Sequence, residues 1–590
     1  MNTTELASHL SESALENLQK WLSEPKYAEY RDELQEMIDA GQWQALEDAF
    51  FKVLEFGTGG RRGTTGPGSN RINRVTMGES AQALCEYAKS FDPDAPGKGV
   101  AIACDTRLSS PDLSQYLATV CAANGFKTYL FDGFRATPEL SFAVRELGCA
   151  VGIVVSASHN PPADNGFKAY WSDGAQLVAP HDKGVLDVAA KLQEIASTDY
   201  DTAVADGRII LVGEEVDRKY IAAAVAEAEG TQRDIKIVYS PLHGAGQTNV
   251  LPILRAAGFN DISVVEEQMV PDGNFPTIEN NKPNPEERVA NDRAVAQMMA
   301  EEADIAITND PDADRIGVMV RQGEETVYLS GNQSAVLATE YALRKKREKG
   351  TLTDKHYIAK TIVTTDMLDA VAEKYDVTCY GNMLIGFKYI GELIRNKEGT
   401  DEQFVIGGEE SYGLLKGSYS RDKDGATGAL PLAEYAAELK AEGKTLYDRL
   451  MELYREYGLY MERLDNVQYP GASGFERMQE IMKMLRTSTP EMIGSHSVSA
   501  VLDYSTLERK DLKTGEVTKI DCLAGNVIVL ELQGDYRCRV TVRPSGTEPK
   551  LKFYTQWYES PDQDIHKQYA DLEDRLEGLA KELEGLALAE

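Results

Sequence analysis

The chain has 590 residues and a mass of 64.9 kDa, with 62 basic and 95 acidic side chains and a formal charge of −33. Such a length points to about three to five domains, and 42% apolar with 27% charged residues excludes disorder as the default. The acidic excess argues against nucleic acid and anionic membrane as partners, and no apolar run reaches about 18 residues.

Residues 1 to about 48 carry Leu10, Leu15, Leu18, Leu22, Met37, Trp43 and Leu46 at rough helical spacing, which predicts a helical extension with a packing role. From Gly99 the pattern becomes α/β. Val100–Cys104 reads as a strand, Ser110 to Asn124 as a helix, Thr128–Phe131 as a strand, and Pro138 opens a further helix. Val151–Val155 is a strand that runs straight into Ser156-Ala157-Ser158-His159-Asn160-Pro161. The rhythm restarts at Ile235–Tyr239, continues through Ile262–Val265, and reaches Ala303–Ile307 just before Asp310-Pro311-Asp312-Ala313-Asp314-Arg315. A third cycle contains Tyr357–Lys360, a helix near 366–375 and Phe404–Gly408. Short buried strands alternating with helices predict a largely parallel sheet, with ligands at the strand ends.

After about residue 465 the rhythm breaks. Met482–Arg486 is helical, Val498–Tyr504, Val527–Leu532 and Tyr536–Val542 are strands, and 563–586 is a Leu- and charge-rich helix. The fold expected is α/β: three mixed-sheet domains and an α+β C-terminal domain around a central cleft. The expected divisions are 1–220, 221–328, 329–462 and 463–590. The seven cysteines show neither metal nor disulfide spacing, and the polar N-terminus has no signal segment. A cytoplasmic monomer or homodimer is expected.

Four loops carry the chemistry. Ser158 follows a buried strand beside an imidazole, but no Gly-x-Ser-x-Gly elbow surrounds it, so a Ser-His-Asp hydrolase does not fit. A plain turn is the alternative. Asp310, Asp312 and Asp314 crowd three like charges, which need a cation or protons to offset them. Hard oxygens select Mg²⁺ or Mn²⁺, and a phosphorylated Ser158 would add oxygen ligands to the same ion. A solvated acidic turn is the bland reading. Gly407–Gly413 offers Glu409 and Ser411 as partners for sugar hydroxyls, and Arg543-Pro544-Ser545-Gly546-Thr547 combines groups that grip phosphate oxygens. Either of these could be an ordinary polar loop. Phe56–Gly63 looks like a glycine-rich anion loop, yet fits neither a P-loop nor a Rossmann fingerprint.

Taken together, and in this order, the four loops resemble the α-D-phosphohexomutase superfamily, the phosphoglucomutases and phosphomannomutases, from about residue 50 onward. The resemblance implies that Ser158 is a phosphoserine and that it joins Asp310, Asp312 and Asp314 around one Mg²⁺. It implies that Arg62 and Arg315 stabilise the transferred phosphoryl group. His159 and Lys168 are then candidates for proton handling or charge stabilisation near the reacting hydroxyl, and Lys388 for the third domain's part of the cleft. Glu409 and Ser411 would read sugar hydroxyls; Arg543, Ser545, Gly546 and Thr547 would hold the other phosphate. The implied reaction interconverts glucose 1-phosphate and glucose 6-phosphate through glucose 1,6-bisphosphate. The long N-terminal region and Arg421–Gly425 lean toward the phosphoglucomutase-2 type, which makes a phosphopentomutase the runner-up and a phosphomannomutase less favoured.

Overall fold

The computed structural model describes residues 6–54, 60–469, 473–534, 536–545 and 550–588. Three α/β units follow one another, each built on its own sheet, before a fourth, antiparallel sheet closes the chain.

The first sheet contains β1 (Gly60–Thr64), β2 (Val100–Cys104), β3 (Thr128–Phe131), β4 (Val151–Val155), β5 (Asp164–Trp171) and β6 (Ile209–Val212), in the order β1-β5-β4-β2-β3-β6. The second contains β7 (Ile237–Ser240), β8 (Ile262–Val264), β9 (Ile305–Asn309), β10 (Ile316–Gln322) and β11 (Glu325–Leu329), ordered β11-β10-β9-β7-β8. The third contains β12 (His356–Lys360), β13 (Thr378–Tyr380), β14 (Gln403–Gly408) and β15 (Leu414–Lys416), ordered β13-β12-β14-β15. One four-strand pattern therefore recurs as β5-β4-β2-β3, β10-β9-β7-β8 and β15-β14-β12-β13. In each copy three strands are parallel and the first-named is antiparallel.

The sheets are thus less parallel than the strand–helix rhythm predicts. A short loop can join only antiparallel neighbours, whereas parallel strands need a long crossover. The three tight loops β4–β5, β9–β10 and β14–β15 are therefore hairpin turns, and they carry Ser158, the aspartates and Glu409. Burial explains why the parallel strands were readable: β2, β4 and β9 are buried throughout, β2 and β4 being apolar or small in sequence and β9 apolar up to Thr308 and Asn309 at its end.

The glycine-rich stretch also differs from expectation. Gly60–Thr64 is an edge strand paired antiparallel with Asp164–Lys168. Gly60 has φ of 149°, and a Cβ there would lie 1.7 Å from the Phe167 carbonyl oxygen, so only glycine permits this approach. Residues 55–59, including Phe56, lie outside the described residues.

The expected N-terminal helices are present at Glu12–Ser23, Arg31–Asp39 and Trp43–Phe50. Leu18, Trp21, Leu34, Leu46 and Phe50 form a separate small core that meets Val75 on the helix Arg74–Phe91. The fourth sheet begins with β16 (Leu459–Gln468) and runs β17 (Met492–Ile493), β18 (His496–Asp503), β19 (Glu508–Asp511), β20 (Val517–Lys519), β21 (Ile528–Leu532), β22 (Arg537–Pro544) and β23 (Lys550–Glu559). Helices Ser473–Thr487 and Ile565–Leu588 pack on it. Among the described residues no helix is long and apolar enough to cross a membrane.

Candidate active site

Ser158 sits just past β4 in the left-handed region, with φ of 52°. For a non-glycine residue that conformation costs about 1–3 kcal/mol and persists only when its surroundings fix it. Here the Ser158 amide donates to Ser156 Oγ at 2.8 Å. The buried guanidinium of Arg107 donates to the carbonyls of Ser158 and Asn160 at 2.6 Å, of Pro161 at 2.7 Å and of Asp164 at 2.9 Å. Asp105 lies 3.3 Å from the same guanidinium and balances its charge. Sequence reasoning missed this brace; its only signal was an Asp-Thr-Arg run at the end of a buried strand.

The Ser158 hydroxyl donates to Asp310 Oδ2 at 2.5 Å and lies 3.2 Å from His159 Nδ1. Burial, then the charges of Arg315 and Arg62, push His159 well below its ordinary range, so the imidazole is neutral. Arg62 lies on β1 opposite Gly166 of β5, and its charge acts on both His159 and Lys168.

The three aspartates occupy the β9–β10 hairpin, where Ala313 is also left-handed at φ of 52°. One oxygen from each of Asp310, Asp312 and Asp314 lies within 4.8 Å of the others, and all three residues are buried. Asp312 Oδ2 accepts from Thr137 at 2.5 Å and from Lys168. Asp314 Oδ2 pairs with Lys168 at 3.2 Å and with Lys423 at 3.1 Å. Burial and then repulsion from Asp312 and Asp314 push Asp310 well above the usual carboxylate range. The same burial opposes charge on Asp312 and Asp314, but Lys168 outweighs it at Asp312, and Lys168 with Lys423 outweighs it at Asp314, so both lie below that range. Arg315 is held by Glu286 at 2.6 Å and donates its backbone amide to Asp310 Oδ1 at 3.0 Å.

The donor set suits a hard cation. Asp312 Oδ1 and Asp314 Oδ1 are buried without a hydrogen-bond partner, and Asp310 already reaches Ser158. Buried oxygens left in that state are costly unless an ion or water satisfies them, and oxygen donors fit Mg²⁺.

The β14–β15 hairpin is the third equivalent loop, with Tyr412 left-handed at φ of 67°. Its backbone meets the aspartate hairpin directly, with Ile316 N donating to Tyr412 O at 3.0 Å, and Gly425, at the start of the following helix, donates its amide to Ala313 O at 3.0 Å. Glu409 is buried, and burial raises its carboxyl to about 7 despite the nearby Lys423. Ser411 is half-buried in the turn between them.

Lys388, on the helix Phe387–Lys397, lies 3.9 Å from Asp182 of the first unit. Burial lowers its pKa. Arg543 on β22 stands opposite Lys552 of β23 and acts electrostatically on Tyr554, Lys388 and Glu410. Ser545 follows it with its amide on the Lys550 carbonyl at 2.9 Å. Gly546 and Thr547 lie outside the described residues. Lys552, which sequence reasoning also missed, has its pKa lowered by burial, and its charge reaches Glu286, Glu410, Arg315 and His159. It sits on an alternating strand with no local motif to mark it.

Three comparisons bear on this arrangement. Family models for phosphoglucomutase/phosphomannomutase α/β/α domains I, II and III match residues 53–196, 218–323 and 330–457. A phosphoglucomutase of Staphylococcus haemolyticus is 34% identical over 531 residues, covering 88% of this chain and 94% of the relative. One from Staphylococcus aureus is 33% identical over 516 residues, covering 86% and 90%. Among solved structures, pp63/parafusin, a phosphoglucomutase of Paramecium in an open form, shares the fold with a TM-score of 0.65 at 16% identity, covering 90% of this chain and 95% of that one. A phosphoglucomutase/phosphomannomutase family protein from Burkholderia thailandensis gives 0.61 at 20%, covering 89% and 97%.

Proposed function

The chain belongs to the phosphoglucomutase/phosphomannomutase family, and from that premise we propose that it interconverts α-D-glucose 1-phosphate and glucose 6-phosphate through a phosphorylated Ser158. The observation that carries this reading is the 2.5 Å contact between the Ser158 hydroxyl and Asp310, which joins a strained, braced serine to three buried carboxylates.

The sugar phosphate's free hydroxyl oxygen attacks phosphorus as the bond from phosphorus to Ser158 Oγ breaks. The attacking hydroxyl gives up its proton to a neighbouring base, for which neutral His159 is the candidate, while Lys168, kept protonated by Asp312 and Asp314, stabilises charge near that hydroxyl. Oγ leaves, takes up a proton and shares it with Asp310 Oδ2. The product of this half-reaction is glucose 1,6-bisphosphate, which turns over within the cleft and returns its other phosphoryl group to Ser158. Arg62 and Arg315 stabilise the equatorial oxygens during transfer. Asp310, Asp312, Asp314 and the phosphoserine would hold one Mg²⁺ per chain, which would supply positive charge to the transferring phosphoryl group. Glu409 and Ser411 read sugar hydroxyls. Lys388, Arg543, Ser545, Gly546 and Thr547 hold the phosphate that is not reacting, whichever end of the sugar carries it. All seven cysteines are free thiols, in keeping with a reducing, cytoplasmic setting.

The test is conversion of glucose 1-phosphate by purified protein with Mg²⁺ and a trace of glucose 1,6-bisphosphate, run beside ribose 1-phosphate. The hexose is expected to turn over faster, and Ser158→Ala is expected to lose turnover in both assays while keeping the wild-type melting temperature. Wild-type turnover in Ser158→Ala would refute the phosphoserine route, and faster pentose turnover would rename the substrate.

A further inference from the structure

The charge balance around the aspartate hairpin includes a cation that the proposed reaction does not use. Lys423 belongs to the third unit, in the segment leading to the helix Gly425–Ala441, yet its ammonium lies 3.1 Å from Asp314 Oδ2 in the second unit. Its route is constrained. The stem passes under the β14–β15 hairpin, where a Cβ placed on Gly413 would lie 2.1 Å from Lys423 Cδ and 2.9 Å from Cγ. These are mid-stem atoms, so a side chain at position 413 forces the lysine off its path. Gly413 does not have a positive φ, so backbone conformation does not account for the glycine. The close approach does.

We propose that Lys423 is the resident counter-cation of the aspartate hairpin, delivered along a track that Gly413 keeps open, and that it sets how tightly the hairpin takes a divalent ion. The inference rests on the reading of that hairpin as a magnesium site. Lys423 contributes charge rather than position. Asp314 keeps Lys168 at 3.2 Å and Arg315 at 3.9 Å when Lys423 is removed, and Asp422, the other partner of Lys423, keeps Tyr170 at 2.7 Å and Gln176 at 2.8 Å. The hairpin is also fixed by the backbone bonds from Ile316 and Gly425. A positive charge on a ligand carboxylate opposes a divalent ion arriving at the same group, and in a buried site that repulsion is weakly screened. The track also couples the two hairpins, because anything that moves the β14–β15 turn moves the lysine.

The experiment is calorimetric titration of Mg²⁺ into the full-length, dephosphorylated protein, with melting curves recorded with and without Mg²⁺. Lys423→Met is expected to bind Mg²⁺ about tenfold more tightly than wild type and to show a larger Mg²⁺-induced rise in melting temperature. Gly413→Ala is expected to reproduce both effects, although it removes no charge and touches no aspartate. General structural damage would weaken binding, so the sign separates the proposal from misfolding, and Gly413→Ala remains informative where Lys423→Met fails to fold. Unchanged or weaker binding in Lys423→Met, or wild-type binding in Gly413→Ala, overturns the inference while leaving the magnesium site intact. Absence of Mg²⁺ binding in the wild type overturns both.

Discussion

The β9–β10 and β14–β15 hairpins are two of the three copies of one piece of topology, and they differ in how far their polar groups are already satisfied. In the first, three carboxylates meet Lys168, Lys423 and Arg315, a threonine and a serine before any ligand arrives. In the second, Glu409 is buried with its carboxyl raised to about 7, and Glu410 Oε2 is buried without a hydrogen-bond partner. The first hairpin is preorganised for charge, which is what phosphoryl transfer demands, since catalysis there is mostly positioning and electrostatic stabilisation. The second has acceptors left over, which suits a group that must read sugar hydroxyls in two orientations of one intermediate. On the proposed function, chemistry and selectivity are divided between two copies of one turn.

Substitutions in the preorganised hairpin should cost rate, and those in the other hairpin should cost binding or discrimination. The largest effect is expected for Asp312→Asn, which removes the charge that Lys168 neutralises; kcat should fall about a hundred- to a thousandfold, measured as turnover of glucose 1-phosphate. Arg107→Met comes next. It strips a buried guanidinium from four carbonyls and from Asp105, so the protein should lose about 3–5 kcal/mol in denaturant unfolding, with kcat reduced because Ser158 is no longer held left-handed. A loss of stability with kcat intact would detach the brace from the chemistry.

Glu409→Gln should raise KM about tenfold with a smaller change in kcat. It also sharpens the comparison through pH. With its carboxyl near 7, Glu409 is largely protonated below that pH and loses acceptor capacity, so KM should rise as pH falls through about 7. That inflection should vanish in Glu409→Gln, while titration of the substrate phosphate remains in both enzymes. The smallest effect is expected for Ser411→Ala, a shift of a few fold in the ratio of glucose to ribose 1-phosphate turnover, since one hydroxyl in a half-buried turn separates similar sugars by little. A kcat loss in Ser411→Ala as large as that in Asp312→Asn would erase the division between the hairpins.

Ser158, the aspartates and Glu409 were legible because each ends a short buried strand with a run of polar residues unusual for a turn. Arg107 and Lys552 were not legible. Arg107 acts on backbone carbonyls up to 57 residues away, and Lys552 acts through its charge on Glu286, Arg315 and His159, which are remote from it in sequence. Gly60–Thr64 was misread for a related reason: glycine and arginine at an edge give neither alternation nor β-branched enrichment, and the strand forms because β5 offers a partner.

Local sequence, then, determined the strand–helix rhythm, the N-terminal and C-terminal helices and the place of the polar loops at the strand ends, since burial periodicity and crowded like charges are properties of neighbours in the chain. The tertiary structure alone decided that the last strand of each repeating unit runs antiparallel, making those loops hairpins that present their groups to one another. It also decided which cations balance which carboxylates. Lys168 and Lys423 come from the first and third units to a hairpin of the second, and electrostatic pairing acts across space at about 3 Å whatever the sequence separation.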